Sequence, residues 1–314
     1  YFFDTNKTIS RELYWATMFS GNNHLRDRLC DRYHSPWITV IFGDMRQNNI
    51  DHKKIAIMQP YFFPYLGYFQ LINEVHRFVV YDNLKYTKKG WINRNRILVD
   101  GKANIFSLPL KKDSNLLFIN QRQLAKEYSR EKLLGKIYGN YSRAPFFNET
   151  FEIIRKIVEY PNNNLFLYIL NSIRELCGYL MLQTNIQISS DLPIDHSLKG
   201  KEKIIAICKS LNSNFYVNPI SGKILYDKQS FVDKNIDLKF LSMNQIVYEQ
   251  FDNRFVPSLS IIDTLMFNSK ETVKKLIISG YNLVDWSNFF HAQSLSSQTN
   301  TIDEHKSGYS WPKR

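Results

Sequence analysis

The stretch "KIAIMQPYFFPYLGYFQLINEVHRFVVY", residues 54–81, decides the fold. Its first five residues are a short, nearly continuous apolar run, the pattern of a strand buried on both faces. From residue 65 the period changes: Leu66, Phe69, Ile72 and Val75 recur at helical spacing and mark one face of a helix. Residues 77–81 return to a β-branched, aromatic run. Strand, helix and strand at this spacing form a β-α-β unit, and such a unit implies a parallel sheet. Two prolines and a crowd of aromatic rings stand at the first strand–helix junction. They read either as the stiff wall of a preformed pocket or as a corner of the core.

The alternation continues downstream. "RNRILV" and "ANIFSLPL" flank Asp100-Gly101, a dipeptide suited to a two-residue hairpin turn. Residues 122–182 are read as mostly helical, with breaks at 140–145 and 161–164. "KEKIIAICKSLN" is an amphipathic helix, and "FYVNP" and "IDLKFLSM" are strands. The expected fold is α/β, Rossmann-like, with a largely parallel sheet and a helical middle segment. Residues 1–52 read as an extension, with a helix over "TISRELYWATMFSGNNHLRDRL" and a strand at "WITVIF". Residues 53–287 form the expected α/β domain. The Ser- and Thr-rich residues 288–314 read as a polar, disordered tail.

Composition narrows the partners. Lys and Arg number 41 against 29 Asp and Glu, a net charge of +12 that calls for an anionic partner. No nucleic-acid module signature appears, so the partner is expected to be a phosphorylated metabolite, a nucleotide sugar or a membrane surface. No apolar run approaches the roughly 20 residues of a spanning helix. No basic-then-apolar leader opens the chain, and cytoplasmic residence is the expectation. Cys30, Cys177 and Cys208 share no ligand spacing and the seven His are scattered, so neither a metal nor a cofactor is implied.

In open α/β sheets ligands gather beyond the carboxyl ends of the strands. That rule selects three stretches. The first is 59–67, with Gln59 as its polar group and Tyr61 and Tyr65 among its rings. The second is "YDNLKYTKKGWINRNRI", residues 81–97. It holds Asp82 at a strand end, then Lys88 and Trp91. Arg94 and Arg96 follow on one strand face, with Asn93 and Asn95 on the other. Two guanidiniums on one face suit a carboxylate or phosphate, and a solvated basic loop is the plainer reading. The third gathers Tyr226 with Ser221-Gly222-Lys223, then Gln250 and Asp263. Asp263 lies in an apolar helix capped by Ser258 or Ser260, and needs a partner if buried. No P-loop, GxGxxG, nucleophile elbow or DxD-like pair is present, which disfavours a glycosyltransferase.

Together these stretches resemble the WbqC-like family of bacterial proteins. The segments that carry the resemblance are "KKIAIMQPYFFPYLGYFQLI", "WINRNRILV", "NYSRAPFF", "NPISGKILYDKQSF" and "FVPSLSIIDTLMFNS". This chain departs from the family pattern at Asn83, where Asp is common, and at Ser221, where Gly is more usual. A more distant similarity to nucleotidyltransferases carries over the fold alone. The positions of their histidines hold Pro, Phe or Tyr here, notably Tyr68. The resemblance implies a role in surface-polysaccharide (O-antigen-type) biosynthesis: a transferase of acyl or aminoacyl groups to an activated amino sugar. On that reading Asp82 is the base, and Gln59 or Asn93 orients the acyl carbonyl. Tyr61, Tyr65, Lys88, Trp91, Arg94, Arg96, Tyr226 and Gln250 hold a nucleotide sugar. A non-catalytic protein that recognises a polysaccharide intermediate is the alternative.

Overall fold

The first strand, β1 (Lys54–Met58), is central because its middle residues, Ile55, Ala56 and Ile57, leave no polar side chain on either face. In the computed structural model, residues 53–251 and 254–286 are described. The chain divides into two units, Tyr1–Asp51 and His52–Arg314, and every described residue belongs to the second. The helix and strand expected before residue 52 and the tail from 288 lie outside the described residues.

After β1 come α1 (Leu66–Glu74), β2 (Arg77–Val80) and a hairpin of β3 (Arg94–Val99) and β4 (Lys102–Ser107). Three helices follow, α2 (Arg130–Tyr141), α3 (Phe147–Val158) and α4 (Leu165–Tyr179), then β5 (Asn185–Ile188) and α5 (Gly200–Ser210). The chain continues through β6 (Phe215–Pro219), a 3₁₀ turn (Ile220–Leu225), α6 (Lys228–Val232), β7 (Asp237–Met243), α7 (Ile261–Phe267), α8 (Lys270–Ser279) and β8 (Tyr281–Val284). The helical block starts at residue 130, later than the expected 122, because Ser129 is the first side chain placed to cap, accepting from Lys132 N.

The main sheet runs β5-β2-β1-β6-β7-β8, parallel throughout except for the last strand. With the hairpin set aside, that is the 3-2-1-4-5-6 order of a Rossmann-like fold, and strand order reverses between β1 and β6. The β3–β4 hairpin forms its own two-stranded sheet. Asp100 and Gly101 both have positive φ (49° and 70°), the two-residue turn whose twist matches its strands.

Side-chain parity splits the core in two. Ala56, Phe78, Val80, Val217 and Leu241 face one side, covered by α1, α4, α7 and α8. Ile55, Ile57, Val79, Tyr81, Tyr216 and Phe240 face the other, covered by Ile204 and Ile207 of α5 and Phe231 of α6. Helix α1 is buried almost all round. Gly67 lets it sit tight, because a Cβ there would overlap Met243 Sδ and lie 2.8 Å from Tyr65 Cε2.

Candidate functional site

The carboxyl ends of β5, β2, β1 and β6 lie side by side. Parity carries Gln59, two residues beyond Ile57, and Asn218, two beyond Tyr216, to the α5 face of the sheet with Tyr81. Gln59 is half-buried and Asn218 buried, so two amide side chains flank the point where strand order reverses. Beyond Asn218 the chain turns tightly through Ile220–Leu225. Gly222 permits this, since a Cβ there would run into the Asn218 side chain.

Asp82 sits at the end of β2 and is fully buried. Its Oδ1 accepts from Ser190 N at 3.0 Å, and its Oδ2 from Ser190 Oγ at 2.7 Å and Asn120 Nδ2 at 2.7 Å. The carboxylate thus joins β2 to the turn after β5. Beside it, Asn83 accepts from Ser189 Oγ (3.1 Å) and lies 3.0 Å from His196 Nδ1, so the departure from Asp at this position exchanges a second carboxylate for a neutral link. Residue types alone did not single out Lys203. It is 2 % exposed, its Nζ lies 5.2 Å from the Tyr81 ring centroid, and its hydrogen bond to His196 O is a long 3.4 Å. Burial lowers its pKa, opposed by the nearby charges of Asp82 and Asp195. An ammonium near the strand ends with one long hydrogen bond is chemically suited to an anionic oxygen.

The aromatic junction divides between the two readings proposed for it. Phe62, Phe63 and Tyr68 are wholly buried and belong to the core. Tyr61 and Tyr65 stay partly exposed, and Tyr65 lines a cavity of about 40 Å³ with Met243, Tyr248 and Ser258. Phe63 adopts φ 43°, a costly conformation for a non-glycine residue. Its carbonyl is held by Asn95 Nδ2 at 2.7 Å and Ser260 Oγ at 2.8 Å, while Phe62 N donates to Ile92 O at 3.0 Å. The hairpin and the start of α7 therefore fix the loop.

Arg94 and Arg96 do share a face: each guanidinium lies over the Trp91 ring, 5.4 and 5.3 Å from its centroid. The fork of Arg94 is filled from its own loop, by Nε to Gly90 O (2.8 Å) and Nη2 to Lys89 O (2.6 Å). Arg96 Nη2 donates to Ser258 O at 2.9 Å and its Nε is buried without a partner; burial lowers the pKa of this group. Arg94 thus spends two donors, and Arg96 one, on backbone carbonyls. Asn93 is occupied likewise, accepting from Tyr86 Oη (2.9 Å) and donating to Leu108 O (2.7 Å). Lys88 is exposed on the same loop.

Tyr226 stands apart from the hairpin group, edge-on to Tyr216 and Phe231 on the α5–α6 face. Gln250 is fully buried and serves Asp263: its Nε2 donates to Asp263 Oδ2 at 2.6 Å while its Oε1 accepts from Val256 N. Tyr141 Oη (2.9 Å) and Tyr248 Oη (2.7 Å) also donate to Asp263. Burial outweighs these three bonds and raises the Asp263 pKa to about 6. The partner expected for a carboxyl in an apolar helix is thus found three times over, in Gln250, Tyr141 and Tyr248. Cys177 and Cys208 are buried and free. Among the described residues no cluster of three His, Cys, Asp or Glu could hold a metal, and no helix is long and apolar enough to cross a membrane.

Comparison with known proteins adds one family and one relative. A Mycobacterium tuberculosis (strain ATCC 25618 / H37Rv) protein, "Uncharacterized protein Rv1507c", is 29% identical over 225 residues, covering 69% of this chain and 94% of the relative. No solved structure matches the chain significantly. The model of the WbqC-like protein family matches residues 59–275, from the junction glutamine through most of α8. By that match, over more than half its length, the chain belongs to the WbqC-like protein family.

Proposed function

We propose that this protein is a transferase of bacterial surface-polysaccharide assembly that adds an acyl or aminoacyl group to an activated amino sugar, such as a nucleotide sugar. One observation carries the reading. The strand order reverses between β1 and β6, and the polar side chains Gln59 and Asn218 flank that switch point, where Rossmann-like sheets take nucleotide ligands. Tyr61 and Tyr65 offer ring surface on the adjoining loop, and Lys203 offers the positive charge.

In this reading Asp82 acts through Ser190. The sugar amine attacks the acyl carbonyl, forming the N–C bond, and the donor's leaving group departs with its electron pair. The proton lost by nitrogen passes to Ser190 Oγ as the serine's own proton shifts along its 2.7 Å hydrogen bond to Asp82 Oδ2; reversing the relay then delivers one proton from Ser190 Oγ to the leaving group and restores the Asp82 carboxylate. Gln59 orients the carbonyl. A non-catalytic sugar-binding protein is favoured instead by the three hydrogen bonds already received by the Asp82 carboxylate.

The test pairs product formation with ligand binding. The protein is incubated with nucleotide-linked amino sugars and acyl thioesters, products are read by mass spectrometry, and binding is read by thermal shift. Turnover that disappears in Asp82→Asn and falls at least tenfold in Ser190→Ala, with the thermal shift retained, supports the enzyme. A thermal shift without product from any donor identifies a binder. Neither product nor shift removes the whole reading.

A further inference from the structure

The chain's positive charge is concentrated. Residues 83–122 carry nine Lys and Arg against two Asp, a net +7 of the chain's +12. The candidate site accounts for little of it: Arg94 and Arg96 are turned inward over Trp91, and Arg122 is buried, donating to Ser114 O and Lys111 O. The lysines of this region are different, for they are exposed.

Backbone pairing brings two distant loops together. Tyr86 N donates to Leu117 O, Ile119 N donates to Leu84 O, and Lys85 pairs antiparallel with Phe118. Directly opposed residues of an antiparallel pair point to the same side, and alternate residues along each strand repeat it. Leu84 and Ile119 turn inward, Ile119 completely. Lys85 and Phe118 therefore face outward together, and Leu116 is exposed in the turn just before Phe118. Leu116 is 73% exposed and Phe118 44%. Lys88 and Lys89 extend the first loop, while Lys111 and Lys112 flank the second, held in place by the bonds of Arg122. Asp113 lies 3.8 Å from Lys111 Nζ and offsets one of these charges.

We propose that this surface is a docking site for an anionic lipid bilayer. Exposed lysines around protruding Leu and Phe side chains match a membrane interface on both counts. The lysines meet anionic headgroups, and the two apolar tips enter the acyl boundary. A soluble polyanion matches the charges alone, since it offers Leu116 and Phe118 no apolar phase. The inference is independent of the reaction proposed for the strand-end crevice.

Co-sedimentation of the full chain with vesicles tests it. Phosphatidylcholine vesicles are compared with phosphatidylcholine–phosphatidylglycerol mixtures, at low and high salt. The protein should pellet with the mixed vesicles alone and be released by salt. Lys88→Glu with Lys89→Glu should weaken partitioning at least tenfold, from about fivefold per lysine lost near the surface. Leu116→Ser with Phe118→Ser, both exposed positions, should weaken it severalfold while leaving the melting temperature unchanged. Failure to pellet with the anionic vesicles overturns the proposal. So does binding indifferent to the Leu116 and Phe118 substitutions and fully competed by heparin, which would mark the surface as a site for soluble polyanions.

Discussion

Replacing Asp263 with Asn isolates the energetic effect of one buried carboxyl. In the folded protein its pKa is raised to about 6 from an ordinary 3.8, and a tenfold change in proton affinity is worth about 1.4 kcal/mol. Between roughly pH 4 and 6 the folded state binds a proton that the unfolded state has released. Stability from this group is therefore greatest below pH 4 and declines by about 3 kcal/mol as pH rises through 6. The amide of the Asp263→Asn variant would not titrate. Its single carbonyl oxygen can replace only one of the two carboxylate oxygens, so the donor from Tyr141, or those from Tyr248 and Gln250, would lose an acceptor, a loss of about 1–3 kcal/mol at every pH. Urea denaturation of both proteins between pH 4 and pH 7.5 separates the two effects. The stability advantage of the native protein over the variant should shrink by about 2.4 kcal/mol across that range. An advantage that grows with pH would mean that the three donors outweigh desolvation, and would refute the reasoning.

Two substitutions probe the junction loop. Gly67→Ala should cost about 1–3 kcal/mol in chemical denaturation, because its Cβ would overlap Met243 Sδ and press on the Tyr65 ring; adding Met243→Ala should recover part of the loss, since it removes one of the two obstacles. Asn95→Ala removes one of the two donors to the Phe63 carbonyl and should cost about 1–3 kcal/mol, and faster amide exchange across residues 61–65 should accompany it.

What is legible in the sequence follows from period and turn chemistry. The β-α-β unit over residues 54–80 stands because Leu66, Phe69, Ile72 and Val75 are all buried as the helical spacing requires. Asp100-Gly101 supplies the hairpin turn. Strand β5, "NIQI", escapes notice because it is four residues long, sits at the sheet edge and interleaves Asn185 and Gln187 with its apolar positions. Alternation places Arg94 and Arg96 on one face, as the structure has them. That the donors of Arg94 turn to the carbonyls of Lys89 and Gly90 depends on a loop path that residue types do not encode. Lys203 carries a faint signal: it lies four residues before Ile207, on the buried side of α5, where a lysine is out of place. Only the packing of α5 over Tyr81 reveals what it meets.

The long interruption between β2 and β5 has a consequence for how the chain reaches its fold. The opening unit leaves the ribosome with β1 paired only to β2, and the other edge of β1 stays empty until β6 arrives to set Phe215 beside Lys54. Throughout that interval Ile55 and Ile57 present apolar surface with an unpaired backbone, the combination that recruits foreign strands. The hairpin and α2 to α4 can begin to form while the centre of the sheet waits, but α2 and α3 are completed only when α7 brings Asp263 to Tyr141 and the Leu265 carbonyl to Thr150. Conditions that slow synthesis or weaken α5 and β6 should therefore show first as aggregation of nascent chains, well before mature protein begins to unfold.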